Sequence, residues 1–509
     1  MKIRSILLCL AAALFASAFC EKVSAQESFP DECTSIVVGR LASADGSVIT
    51  SHTCDGVSHT WVRMEPAADH AKGAMHDVCK GLRHTSFAGD TAGVRKLGEI
   101  PEVRHTYAYL NTGYPCLNEK QLGIGETTFR GPDTLKSDNG IFLIEELARI
   151  ALQRCSKARD AVKLMGALAE EYGYIDVGEC LTVADPREAW FFEILGPGRG
   201  EKGAVWVAQR VPDDEVAISA NIPRIARIDR KDRKNFMYSS NIEEVALKYG
   251  LWDGQGEFVF YKAYHGNYGK GKNFFERDWW VYNELAPSLA LRLDQDELPF
   301  SVKPEKPVSV RDVMALFRST YEGTEMDMCK DIKIKDKISP IATPWPTKTL
   351  QKTLETIAPD AFEFHRTVAV AWCAYSTVIQ LRGWLPDAVG GICWLAVDNP
   401  AQSPRIPIFA GNTVLPEPMS RCGHKKYDPT CFLWQFRKAN KLATLAWQST
   451  KTDFNKTLME VEDKTFEALP GPKATVAELN ACTQKIYDMA AARWDELEAR
   501  YWHEFGRGF

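Results

Sequence analysis

A chain of 509 residues, 45% hydrophobic and 25% charged, can bury at least one large core and lacks the composition of a disordered protein. Its 62 Lys and Arg against 67 Asp and Glu leave a formal charge of -5. That charge is spread along the chain, which excludes a basic nucleic-acid-binding stripe and a charged interaction tail.

Lys2 and Arg4 precede an apolar run from Ile6 to Phe19, and small residues follow at Val23-Ser24-Ala25. This pattern predicts a secretory signal peptide over 1–25 and a mature protein that is periplasmic or secreted. Cys20 is the alternative, a lipid attachment site, but Phe19 before it is bulky where such sites call for a small residue. Elsewhere no run approaches the ~18 consecutive apolar residues of a membrane span.

Two of the 14 cysteines, Cys9 and Cys20, fall in the signal. An oxidising compartment would allow others to pair, with Cys422 and Cys431 as the nearest candidates around Pro429, buried free thiols being the alternative. No C-x-x-C or H-E-x-x-H pattern occurs, and His503-Glu504 has no second histidine, so no metal site and no cofactor are expected.

Residues 26–32 read as a short polar propeptide. Thr34 to Gly39 then forms an apolar strand, Asp45-Gly46 a hairpin turn, and Val48 to Ser51 a second strand. Hairpin-like material follows at Thr106 to Leu110 and Leu122 to Gly125. An apolar period of about 3.6 predicts helix from Ile141 to Tyr172, split near Ser156. Strands are expected at Leu181 to Ala184, Ala189 to Ile194 and Ala204 to Ala208, and far downstream at Thr367 to Leu381 and Gly391 to Val397. Gly266 to Lys272 is glycine-rich without the strand-before, helix-after context of a phosphate loop, so it reads as a surface loop. Cys431 to Leu469 is helical, and another helix follows Pro472, with the capping box Thr475-x-x-Glu478 and inward Leu479, Ile486, Met489, Trp494 and Leu497. Strands at both ends with helices between and after them predict a single interleaved α+β domain over 33–430, with a helical region over 431–509 packed on it.

Cys33 stands at the head of the first hairpin, just after a removable leader. If the Glu32–Cys33 bond is cut, one residue holds both a thiol nucleophile and a free α-amine whose pKa near 8 suits a general base. No separate histidine is then needed. From spacing alone Cys33 is equally an ordinary small apolar residue or half of a disulfide.

The run Cys33-Thr34-Ser35-Ile36-Val37-Val38-Gly39-Arg40, with Ala42-Ser43-x-Asp45-Gly46-Ser47 and Asp55-Gly56, resembles the mature N-terminus of the cysteine dipeptidases of the dipeptidase A type, a branch of the N-terminal nucleophile hydrolases. The likeness continues through Asn118-Glu119, Gly125-Glu126-Thr127-Thr128-Phe129, Ala184 to Trp190, Ser219-Ala220-Asn221-Ile222-Pro223-Arg224-Ile225, Tyr321-Glu322-Gly323-Thr324 and Gly390-Gly391-x-x-Trp394. The resemblance implies a four-layer αββα sandwich with a helical C-terminal extension, self-removal of the leader, and dipeptide hydrolysis through a thioester on Cys33. It implies that Asp55 contacts the nucleophile's amine and that the Asn221 amide donates to the oxyanion. Thr128 falls where related acylases carry a second oxyanion asparagine, so its hydroxyl or the local backbone N–H is the candidate donor. Glu126 is a candidate for holding a substrate's free ammonium. His52 stands where such dipeptidases often show arginine.

The partners expected are small peptides, with no nucleic acid and no membrane span; a second copy of the chain is a further candidate. The alternatives are an amidase of the same superfamily acting on non-peptide acyl amides, and a catalytically idle binding protein that keeps the fold.

Overall fold

The computed structural model describes residues 32–266, 272–357 and 362–507. The expected signal peptide, most of the expected propeptide and the centre of the glycine-rich stretch lie outside the described residues.

Two antiparallel sheets carry the fold. The seven-stranded sheet runs in the order Ser301–Val302, Val216–Ser219, Cys33–Val38, Val48–Asp55, Cys373–Leu381, Gly391–Val397, Ile406–Phe409. The eight-stranded sheet runs Phe236–Tyr238, Val205–Val211, Ala189–Leu195, Gly178–Ala184, Gly123–Arg130, Leu117–Asn118, Tyr109–Asn111, Arg63–Glu65. The predicted first hairpin occupies the middle of the smaller sheet, and all its strand residues are buried. A strand covered on both faces reads as a continuous apolar run rather than an alternating one, as Ile36 to Val38 does. The hairpin's turn is fixed locally: Asp45 Oδ1 accepts from the Ser47 backbone N–H at 3.0 Å and from its hydroxyl at 2.6 Å, and Gly46 takes φ +82°.

The sheets meet face to face, the Gly123–Arg130 strand lying against both strands of the hairpin. Gly125 is what lets them come this close. A Cβ there would sit 2.3 Å from the Ser51 carbonyl oxygen and 2.6 Å from Thr182 Oγ1, so any side chain would push the sheets apart where Glu126 meets Cys33.

Helices cover both sheets. Ala158–Tyr172 packs on the three strands from Gly178 to Val211, while Lys272–Leu285, Val310–Phe317, Phe432–Leu445 and Val476–Phe505 each pack against strands of the smaller sheet. The helical stretch expected from Ile141 to Tyr172 forms as Ile144–Arg154 and Ala158–Tyr172, parted around Ser156. The C-terminal helix starts on its capping box, with Thr475 and Glu478 each bonded to the other's backbone N–H. Of its expected inward residues Met489 is only partly buried.

Some sequence expectations are corrected. The strand expected over Thr367 to Leu381 begins only at Cys373, because the preceding backbone is spent elsewhere: Arg366 N–H donates to Glu276 and Ala369 N–H to Ser319. The helix expected from Cys431 to Leu469 divides at Ala446 into Phe432–Leu445 and Trp447–Glu467. Thr106 to Leu110 is not one strand; its ends join different sheets. Cys422 and Cys431 are unpaired, as are all the described cysteines; Cys422 Sγ instead takes the Thr60 N–H at 2.9 Å and lies 2.5 Å from His424 Nδ1.

Candidate active site

Cys33 begins the central strand, directly opposite Cys54. Its thiol is buried, and its side-chain partner is the Glu126 carboxylate, with Sγ 3.4 Å from Oε2. Burial pushes the thiol well above its ordinary pKa, and the Glu126 charge pushes it further. Both effects favour the protonated thiol, so a nucleophilic role for this sulfur would require a base.

The bond before Cys33 is gripped on every side. The Glu32 carbonyl accepts the Asp55 backbone N–H at 2.9 Å. The Cys33 N–H donates to Asn221 Oδ1 at 3.0 Å, and the Cys33 carbonyl accepts from Arg277 Nη1 at 2.7 Å. Arg277 Nη2 also donates to Asn221 Oδ1 at 2.9 Å, while Asn221 Nδ2 donates to the Thr128 carbonyl at 2.7 Å. Two donors on one end of the amide and an acceptor on the other fix its orientation. Asn221 holds φ +65°, in the left-handed region that asparagine tolerates better than most residues.

Asp55, from the end of the second strand, does not touch the Cys33 nitrogen through its side chain. Its Oδ2 accepts from Arg366 Nη2 at 2.5 Å, and the same guanidinium binds the Glu32 carboxylate through Nε. Burial raises the Asp55 pKa despite Arg366. At Glu32 burial works the same way, but Arg366 and Arg277 outweigh it and hold the carboxyl below its ordinary range. Arg366 is aimed from behind by Glu276, which accepts the Arg366 N–H and the His365 ring at 2.8 Å each.

Glu126 lies in a second cluster on the facing sheet. Thr128 Oγ1 donates to its Oε1 at 3.1 Å. Glu179 stands in register with Thr128 on the adjacent strand. Burial raises both carboxyls, and Glu179, facing the Glu126 charge, rises well above the carboxylate range. The two form a buried like-charge pair, which disfavours ionising both at once. His52 Nδ1 lies 2.7 Å from the Glu126 carbonyl, which assigns the ring hydrogen to that nitrogen. Burial lowers the His52 pKa to about 4, so it brings no positive charge to the position where arginine was the expectation.

The structure thus brings Cys33, Asp55, Glu126, Thr128 and Asn221 to one place. It gives Asn221 and Thr128 contacts other than a free oxyanion donor: the Asn221 amide hydrogens serve the Thr128 carbonyl, and the Thr128 hydroxyl serves Glu126. Sequence reasoning missed Arg277, Arg366 and Glu179. A signal for Arg277 was present, since Glu276-Arg277-Asp278 sits between Phe274-Phe275 and Trp279-Trp280. Three charges inside an aromatic run on a helix must be buried and paired, which is how function-bearing charges are found.

A buried thiol at the head of a central strand, with a carboxylate on the sulfur and an arginine–asparagine clamp on the adjoining peptide bond, defines a candidate cysteine hydrolase site. The chain belongs to peptidase family C69, whose model matches residues 32–460. It is 26% identical over 459 residues to a probable dipeptidase of Latilactobacillus sakei, covering 86% of this chain and 88% of that protein. It is also 26% identical to a probable dipeptidase of Salmonella dublin over 74% of this chain and 81% of that one, and 24% identical to dipeptidase A of Lactobacillus helveticus over 76% and 77%.

Proposed function

We propose that this protein is an exported cysteine dipeptidase with the four-layer N-terminal nucleophile hydrolase architecture, activated by cleavage before Cys33 and hydrolysing dipeptides through a thioester on Cys33. The observation that carries this reading is the grip on the Glu32–Cys33 bond: carbonyl on the Asp55 N–H, nitrogen on Asn221, thiol on Glu126. The family match that begins at residue 32 and the dipeptidase names of the relatives support it.

Before cleavage the Cys33 nitrogen is an amide and cannot act as a base, so Glu126 takes the thiol proton. The thiolate attacks the Glu32 carbonyl carbon, and the Asp55 N–H stabilises the developing oxyanion. Glu126 returns the proton to the Cys33 nitrogen as the C–N bond breaks, so Cys33 keeps that nitrogen as an amine and the leader is left as a thioester that water hydrolyses. In turnover the freed α-amine replaces Glu126 as base. Asn221 Oδ1 accepts one amine hydrogen, and the adjacent Arg277 charge disfavours the ammonium form, keeping a lone pair available near neutral pH. Glu126 is then free to hold a substrate's ammonium, which would make recognition depend on an unblocked N-terminus.

Mass analysis of the purified protein tests the scheme together with a panel of free and N-acetylated dipeptides. The expected result is a chain starting at Cys33 that hydrolyses free dipeptides and not their acetylated forms. A working enzyme that keeps residues upstream of Cys33 overturns it. Preferential cleavage of the acylated panel would instead identify an amidase.

A further inference from the structure

Cys33, His52 and Glu126 each offer one ligand atom within 4.8 Å of the others, and all three are buried. The set is a sulfur, an imidazole and a carboxylate, the three donor types that zinc accepts, with bonds of about 2.0–2.3 Å. Tetrahedral bonds of that length separate ligand atoms by roughly 3.3–3.8 Å. Cys33 Sγ already lies 3.4 Å from Glu126 Oε2. Two independent features favour a cation here. His52 Nε2 is buried with no hydrogen-bond partner, so it can coordinate while Nδ1–H keeps the Glu126 carbonyl, the outer contact that orients metal-bound histidines. The second is Cys33 itself: once cleaved, its amine and thiolate can close a five-membered chelate on one ion, giving the fourth ligand.

We infer that the mature protein has an inhibitory site for a thiophilic divalent cation, Zn²⁺ in particular, built from the Cys33 sulfur and amine, His52 and Glu126. A Zn–S bond forms as the S–H bond breaks, the proton leaves to solvent, and no electron is transferred. The ion occupies the lone pairs that turnover needs, so this is a reversible off-state and not a catalytic metal. The inhibition rests on the dipeptidase reading; the binding does not.

The test is titration of the mature protein with CoCl₂, followed by the sulfur-to-cobalt charge-transfer absorption, and with ZnCl₂, followed by dipeptide turnover before and after EDTA. One equivalent of cobalt should produce the band, zinc should displace it, and EDTA should restore turnover. His52→Ala and the volume-preserving His52→Gln should each weaken cobalt binding roughly tenfold or more, with circular dichroism confirming that they fold. No band at saturating cobalt, or unchanged binding in both folded His52 variants, overturns the inference. A cobalt band in a protein that cleaves no dipeptide would uphold the site and refute the activity; turnover insensitive to zinc would do the reverse.

Discussion

At the scale of single residues, each group round Cys33 has a separable task. Cys33→Ala should leave a full-length leader by mass and no turnover, whereas Cys33→Ser should process slowly with little hydrolysis, an alkoxide being a poorer attacker than a thiolate. Glu126→Gln divides the two stages. It should block leader removal, because the thiol loses the carboxylate that accepts its proton before the amine exists. If the same variant is freed at Cys33 by an engineered cut, it should recover kcat with a raised KM, since it keeps the α-amine but loses the ammonium partner. Equal loss of kcat in both forms would show that Glu126 acts through the fold. Asp55→Asn should lower kcat about tenfold or more by loosening Arg366, and unchanged kinetics would remove Asp55 from the site. Cys33 was legible because its position after a leader needs only sequence order to notice. Arg366 was not: its partners Glu32 and Asp55 are 334 and 311 residues away, and no local pattern encodes that.

At the scale of elements, the two sheets matter because they bury charge between them. Glu193, on the Ala189–Leu195 strand, is fully buried, and Oε1 accepts the Arg224 N–H at 2.5 Å and the Ile225 N–H at 3.3 Å. Burial raises its pKa to about 8. A carboxyl with a raised folded pKa binds more protons in the native than in the unfolded state, so its contribution to stability is whole below the unfolded value near 4.5 and falls as pH rises through about 8. Urea midpoints at pH 5 and pH 9 should therefore differ more in the parent than in Glu193→Gln. An identical slope in both would assign the pH dependence elsewhere. Helix and strand existence was readable from period and punctuation, as the break near Ser156 and the Thr475 capping box illustrate. Where the strand expected at Thr367 actually starts was not readable, because Arg366 and Ala369 commit their backbone to distant partners.

At the scale of the molecule, the C-terminal helices complete the smaller sheet's cover. Phe466 stacks on Trp394 at 4.5 Å, Asn440 Nδ2 bonds Asp398 Oδ2 and Ser403 Oγ, and Trp494 Nε1 donates to Asn440 Oδ1 at 2.8 Å. Ending the chain at residue 430 should expose Trp394 and leave Asp398 without its Arg437, Asn440 and Lys441 partners, a buried charge without compensation. The expected outcome is insoluble protein; a soluble, cooperatively unfolding truncation would refute this account of the helices as cover.

Sequence order alone determined the hairpin headed by Cys33 and the mixed α+β character, because each depends on neighbours within about a dozen positions. Only the tertiary structure decided that Glu126 faces the Cys33 thiol, that Arg277 holds the Cys33 carbonyl and that Arg366 joins the Glu32 and Asp55 carboxylates. Those contacts arise where two sheets and a helix from distant parts of the chain converge at a spacing that Gly125 permits, and burial sets their charges only once that convergence exists.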